Sequence, residues 1–159
     1  MRASLDEIER IYRERGGDFY RFAYARTGDA NAARDAVQEG FANAVRSRHR
    51  YRGSGSVDAW IARCVINAAH HEMRREDAPE EELERDVSVT SEPDVDAPVI
   101  REAVRRLPRR QRDVLFLRFY LDFDYAAIAE ALGIAVGTVS ATLHAARASL
   151  AHMLQEVPR

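Results

Sequence analysis

Tyr125-Ala-Ala-Ile128-Ala129-Glu-Ala-Leu132-Gly133-Ile-Ala-Val136-Gly137-Thr138-Val139 reads as two helices and the turn between them. Tyr125, Ile128, Ala129 and Leu132 recur at i, i+3, i+4 and i+7, the spacing of one helix face. Gly133 follows directly and suits the left-handed conformation that ends a helix. Val136, Val139, Leu143, Ala146, Leu150 and Leu154 then phase a second helix, and the small Ala129 lets the two cross closely. The pattern predicts a helix-turn-helix. An ordinary helical hairpin is the alternative, and the agreement of spacing, glycine position and apolar phase favours the former. In a helix-turn-helix the second helix lays its N-terminal residues in a DNA major groove. Gly137 and Thr138 near its start suit a phosphate, because free backbone N–H groups point outward there. The outward face carries Ser140, Ala141, Thr142, His144, Ala145 and Ala148, with Arg147 its one full charge. Affinity for DNA comes mainly from phosphate neutralisation, so this module is expected to bind duplex weakly alone. Arg109, Arg110 and Arg112 add phosphate contacts from an earlier helix, and His144 either reads a base edge or stands by.

Two more helices precede this pair. Val99, Ile100, Ala103, Val104 and Leu107 mark one, which Pro108 breaks, and Val114, Leu115, Leu117 and Leu121 mark the next. Upstream lies an acidic connector, from Asp77 to about Pro98, with prolines at 79, 93 and 98 and few large apolar residues. It is too polar to fold alone. It reads either as a solvated tether or as an acidic segment that occupies a basic channel in a partner. Before it, three stripes of helical period appear. Ile8, Ile11, Tyr12, Phe19, Phe22 and Ala23 form the first, interrupted by Gly16-Gly17. Ala33, Ala36, Val37, Gly40, Phe41, Ala44 and Val45 form the second, after Thr27-Gly28-Asp29 supplies an N-cap. Val57, Trp60, Ile61, Cys64, Val65 and Ala68 form the third, after the Arg52–Ser56 loop. Strand-type alternation is missing throughout, so the expected fold is all-α: two small helical units, residues 1–76 and 99–159, joined by the connector over 77–98.

The whole chain has 159 residues, 46% hydrophobic and 31% charged, a soluble globular balance that excludes wholesale disorder. No apolar run reaches the length of a membrane span, which excludes membrane insertion, and the charged N-terminus lacks the apolar core of a secretory signal. The lone Cys64 makes neither an internal disulfide nor a cysteine zinc cluster, in keeping with a reducing cytoplasm. No metal-ligand cluster, phosphate loop or nucleophile-base pair is present, so neither an enzyme nor a cofactor is expected. All 24 basic residues are Arg, whose forked guanidinium suits phosphate and carboxylate. The net charge of −2 hides an uneven distribution: +3 over 1–76, −8 over 77–99 and +3 over 100–159.

Two patches in the first unit carry chemistry. Asp35, Gln38 and Glu39 sit one turn apart opposite an apolar face, and read as a contact for a basic protein or as a solvated surface. Arg46-Ser-Arg48-His-Arg50-Tyr51-Arg52-Gly53-Ser-Gly55, followed by Trp60, Arg63, Asn67 and Arg74-Arg75, interleaves cations with rings and a flexible loop. Single-stranded nucleic acid is recognised by such cations and rings, and the Asn67 amide suits the edge of a flipped base. The phase of Trp60 with Ile61 and Cys64 places most of its ring in the core.

On these residues the chain resembles the extracytoplasmic-function sigma factors of bacterial RNA polymerase. Phe19-Tyr-Arg-Phe-Ala23, Thr27-Gly-Asp29, Asp35-Ala-Val-Gln-Glu-Gly-Phe41 and the run from Trp60 through Asn67 to Arg74-Arg75 are similar to the sigma-two domain. Leu107-Pro-Arg-Arg-Gln-Arg-Asp-Val-Leu115, Ile128-Ala129, Leu132-Gly133 and Gly137-Thr-Val139 are similar to the sigma-four domain. The resemblance implies a promoter-specificity subunit without catalytic residues of its own. It implies that Asp35, Gln38, Glu39 and Asn43 face the clamp helices of the polymerase beta-prime subunit. It further implies that Arg48, Arg50, Tyr51, Arg52, Arg63, Asn67, His71 and Arg74 take the melted minus-10 element. Arg112, Gly137, Thr138, Ser140, Ala141, His144 and Arg147 would meet the minus-35 duplex, with the beta flap and an anti-sigma factor as further partners. The connector would thread the polymerase cleft and RNA exit path. The chain departs from the family pattern at Ser140, Thr142 and Ala145, where basic residues are usual, at His71, where Asp is common, and at the acidic Asp122 and Asp124. A sigma-like protein that binds polymerase or an anti-sigma factor without productive promoter recognition is the second reading. A conventional helix-turn-helix regulator is the third, and it leaves the patches of the first unit unexplained.

Overall fold

The computed structural model describes residues 2–53, 55–76 and 97–156, with the backbone alone for 72–76, 97, 98 and 101. Nearly all of the expected connector, and the Arg74 side chain, lie outside the described residues. Ser4 opens α1 (Leu5–Thr27): its Oγ accepts from the Glu7 backbone N–H at 3.1 Å. The helix runs through Gly16-Gly17, where the sequence suggests an interruption. Each glycine costs about 1 kcal/mol in a helix interior. Ile8 and Ile11 before the pair, and Phe19 and Phe22 after it, are buried on one core. Each large side chain so buried returns about 1.5–3 kcal/mol, which outweighs the glycine cost. At Gly28 (φ 69°) the chain turns left-handed and its N–H donates to the Tyr24 carbonyl at 2.8 Å. The Asp29 carboxylate then accepts from the N–H groups of Asn31 and Ala32 at 2.8 and 3.0 Å, starting α2 (Ala30–Ser47). A short 3-10 turn over Arg48–Arg50 and a loop lead to α3 (Val57–Glu76), where the Ser56 hydroxyl accepts from the Ala59 N–H at 3.1 Å. Phe41 of α2 meets Tyr12 and Phe19 of α1 edge to face at 5.0 and 5.6 Å. Gly40 brings the α2 backbone directly onto α3: a Cβ there would lie 2.6 Å from Val65 Cα.

The second half is built from α4 (Ala97–Arg105), α5 (Arg109–Phe119), α6 (Tyr125–Leu132) and α7 (Val136–Gln155). Pro108 occupies the N-cap of α5, which agrees with its reading as a breaker. The apolar stripe expected for α4 is only partly inward. Ala103 and Leu107 are buried, but Val99 and Ile100 are 38% and 45% exposed, so that among the described side chains the burial lies toward the C-terminal end of α4 and just beyond it. Val136, half exposed, likewise precedes the point where α7 reaches the core formed by Val114, Leu117, Ile128, Val139 and Leu143. Asp124 caps α6, accepting from Ala127 N–H at 2.8 Å. Gly133 (φ 66°) ends it, its N–H turned to the carbonyls of Ala129 and Glu130, and α7 leaves at 100° to α6. The fold is all-α, without a strand among the described residues.

The two halves pack together, α6 against α3 and α5 against α1. Phe22 of α1 and Phe116 of α5 meet with ring centroids 5.3 Å apart. Among the described residues no single helix is long and apolar enough to cross a membrane.

Candidate nucleic-acid interface

The loop between α2 and α3 is organised by Tyr51. Its hydroxyl donates to the Gly55 carbonyl at 2.6 Å, and its ring lies 5.7 Å from that of Trp60. Trp60 is half-buried, so its indole serves the core and still leaves an edge at the loop. Burial and the charge of Glu130 raise the Tyr51 hydroxyl above its usual range. Arg48 folds back onto the Val45 carbonyl at 3.0 Å, whereas Arg50 and Arg52 are exposed. On α3, Arg63, Asn67 and His71 are all exposed and follow one another at i, i+4 and i+8, one row of a helix. Tyr51 of the loop thus meets Trp60 of α3, and Arg63, Asn67 and His71 follow Trp60 along that helix. Cys64, beside Arg63 but turned inward, has its thiol pushed up to about 11 by burial, against the pull of Arg63.

On α2, Asp35 and Gln38 are exposed. Glu39 is exposed too, and takes Arg46 Nη2 at 2.8 Å. The same guanidinium donates to the half-buried Asn43 side chain, which ties Asn43 to this patch. A surface ion pair of this kind is worth about 0–1 kcal/mol and yields readily to another partner.

On α7 the start is open. Ala135 is the N-cap and supplies no side-chain hydrogen bond, and Gly137, Thr138, Ser140 and Ala141 are exposed. His144 is exposed one turn further on, and Arg147 lies over the Phe119 ring at 5.6 Å. Arg109 and Arg110 are exposed in the first turn of α5, and Arg112 is half-buried beside them.

The charged groups that the sequence reading passed over lie between the halves. Arg26 of α1 pairs with Asp113 of α5, Nη1 to Oδ2 at 2.5 Å, with side chains only 9% and 8% exposed. Burial raises the Asp113 carboxyl above its usual range, against the pull of Arg26, Arg109 and Arg112, and lowers Arg26. Desolvation therefore outweighs attraction in this pair. The buried Arg26 Nε has no hydrogen-bond partner. Asp113 shares the row of Leu117 at i, i+4; a carboxylate on an inward row is the one sequence signal that points to it. Arg15 of α1 is held by Asp58 at 3.0 Å, donates to the Leu121 carbonyl, and lies over the Phe123 ring at 5.2 Å. A cavity of about 330 Å³ opens beside it, lined in part by Gly55, Asp124 and Glu130.

Among known families, residues 11–78 match Sigma-70 region 2 and residues 99–150 match Sigma-70 region 4. The chain is 31% identical to an RNA polymerase sigma-E factor of Streptomyces antibioticus, over 94% of this chain and 85% of that one. It is 29% identical to the ECF RNA polymerase sigma factor SigM of Mycobacterium tuberculosis, over 92% of this chain and 76% of that one. Of solved structures, the sigma factor RpoE in complex with the anti-sigma factor NepR from Bartonella quintana has the same fold. Its TM-score is 0.75 at 19% identity, covering 97% of this chain and all of that one.

Proposed function

The chain belongs to the sigma-70 family as an extracytoplasmic-function RNA polymerase sigma factor, and we propose that it divides promoter recognition between its two helical halves at the boundaries its sequence suggests. Residues 1–76 engage core polymerase and the melted minus-10 element, 77–98 connect, and 99–159 engage the minus-35 duplex. Core polymerase and promoter DNA are its working partners, and an anti-sigma factor is a further one. The chemistry of RNA synthesis is the polymerase's; this chain supplies position and strand capture in the bacterial cytoplasm.

The row of Arg63, Asn67 and His71 beside the Tyr51–Trp60 rings carries this reading. An unstacked base costs a few kcal/mol, and a site that lowers this cost stabilises the open duplex. Here the Asn67 amide has the donor and acceptor to bond a base edge. Arg50, Arg52, Arg63 and Arg74 meet the flanking phosphates, with Arg48, Tyr51 and His71 completing the surface. Asp35, Gln38, Glu39 and Asn43 present acceptors to the clamp helices of the beta-prime subunit, where Arg46 is exchanged for a partner cation. At the other end, Gly137 and Thr138 offer backbone donors to a phosphate, and Ser140, Ala141, His144 and Arg147 face the groove. Arg112 supports them from α5, and the beta flap receives the same half.

Asn67→Ala tests the division of labour. Permanganate footprinting of thymines near the start site is expected to show open complex reduced about tenfold. Co-purification with core polymerase is expected to stay unchanged. Equal loss of both contradicts a base-capturing role.

A further inference from the structure

The loop between α2 and α3 is pinned at both ends. Tyr51 closes the 3-10 turn, its N–H donating to the Arg48 carbonyl at 3.4 Å, and the Ser56 hydroxyl accepts from Ala59 N–H where α3 begins. Between these points Gly53 and Gly55 take left-handed backbone, φ 75° and 96°. Glycine reaches such angles without strain, but it also has the most freedom to leave them. The Tyr51 hydroxyl supplies a restraint there: it donates to the Gly55 carbonyl at 2.6 Å and closes residues 51–55 into a ring.

The same contacts use what Tyr51 would offer a base. Its one O–H is committed to Gly55, and its ring is set against Trp60, 5.7 Å between centroids with 49° between planes. Its sequence neighbours, Arg50 and Arg52, are exposed cations of the loop. They leave the chain on either side of Tyr51, so whatever fixes Tyr51 fixes where both guanidinium groups start. A phenylalanine would fill the same space against Trp60 and lack only the hydroxyl.

We propose that Tyr51 is a positioning residue for strand capture: its hydroxyl staples the loop to the Gly55 carbonyl before DNA arrives, so that Arg50 and Arg52 meet the strand in one register and mismatched bases are rejected. The proposal rests on the reading of the loop and α3 as the minus-10 site, and it makes Tyr51 a support of that site rather than a base contact. A loop ordered in advance loses less freedom on binding, which favours both affinity and discrimination.

The test uses the full chain with core RNA polymerase, on the strongest promoter recovered by run-off transcription from a fragmented genomic library and on its single-base variants across the minus-10 element. Tyr51→Phe is expected to reduce open complex, read by permanganate footprinting, about fivefold, the size of one neutral hydrogen bond. It is expected to narrow the preference for the correct base at one or two adjacent positions and to leave the other positions, core-polymerase binding and the thermal midpoint unchanged. In the free chain, acrylamide quenching of Trp60, the only tryptophan, is expected to rise about twofold, since an unstapled loop uncovers the indole edge part of the time. Arg50→Ala combined with Arg52→Ala tests the surface itself. If that variant leaves open complex unchanged, the reading of the loop as a DNA site is wrong and the proposal falls with it. If it lowers open complex while Tyr51→Phe alters neither open complex nor base preference, the DNA surface stands and the staple is overturned. Lost base preference with unchanged quenching also overturns it, because the hydroxyl then acts on DNA directly. So does a loss spread evenly over all positions with a lowered midpoint, which is the mark of a structural role alone.

Discussion

Gly40 has no room for a side chain. A Cβ there would meet Val65 Cα at 2.6 Å and Val65 N at 2.9 Å, both backbone atoms of a packed helix. Alanine in a helix gains about 1 kcal/mol over glycine, but overpacking against backbone costs about 1–3 kcal/mol. Gly40→Ala is therefore expected to lower the thermal midpoint by several degrees, read by circular dichroism; an equal or higher midpoint contradicts the close α2–α3 contact. Cys64 gives a second reading at this scale. Its thiol, pushed up to about 11 by burial, is almost wholly protonated at pH 8. The rate of its alkylation by iodoacetamide in the native chain should rise about tenfold per pH unit from 7 to 9.5. A rate that levels off near pH 8.5 contradicts a buried thiol.

At the scale of the element, the sequence carried most of what the helices do. Gly28, Asp29, Pro108 and Gly133 each end or start a helix where their backbone preferences say they should. The inward rows of α2 and α3 are those of their apolar period. Two features escaped it for physical reasons. Gly16-Gly17 lie within α1 because tertiary burial on both sides overrides local propensity. Val99, Ile100 and Val136 are exposed because periodicity reports which residues share a row, and not how far along the helix the neighbour extends. The face of α7 was legible as well, and its weakness is now concrete: the single full charge, Arg147, lies over Phe119. Replacing the exposed Ser140 and the half-buried Thr142 with Arg is expected to tighten duplex binding. The slope of log affinity against log salt should steepen by about 0.9 for each new phosphate contact. An unchanged slope means that this face does not meet phosphate.

At the scale of the whole molecule, the sequence left the relative placement of the halves open, and no local pattern supplies it. Arg26 and Asp113 lie 87 positions apart in the chain, and Glu130 reaches a loop residue, Gly55, that looks unremarkable beside Ser54 and Ser56. Their meeting follows from the packing of α5 and α6 on α1 and α3. The residues proposed for DNA were legible as cations, rings and an amide. That Arg63 lies against the helix-turn-helix, and that Arg46 is taken up by Glu39 and Asn43, was not. With Arg46 already paired and Arg63 lying against the helix-turn-helix, the isolated chain is expected to bind DNA weakly, and productive recognition is expected of its assembly with polymerase.

Run-off transcription from a fragmented genomic library, with core RNA polymerase in the presence and absence of this chain, tests that account most directly. Discrete new start sites that share upstream elements are predicted. They should vanish with Asp35→Arg combined with Glu39→Arg, since that variant reverses the charge offered to the polymerase. An absence of new transcripts, with the unaltered chain still co-purifying with core polymerase, would contradict promoter-directed initiation and leave a protein that binds polymerase without directing it.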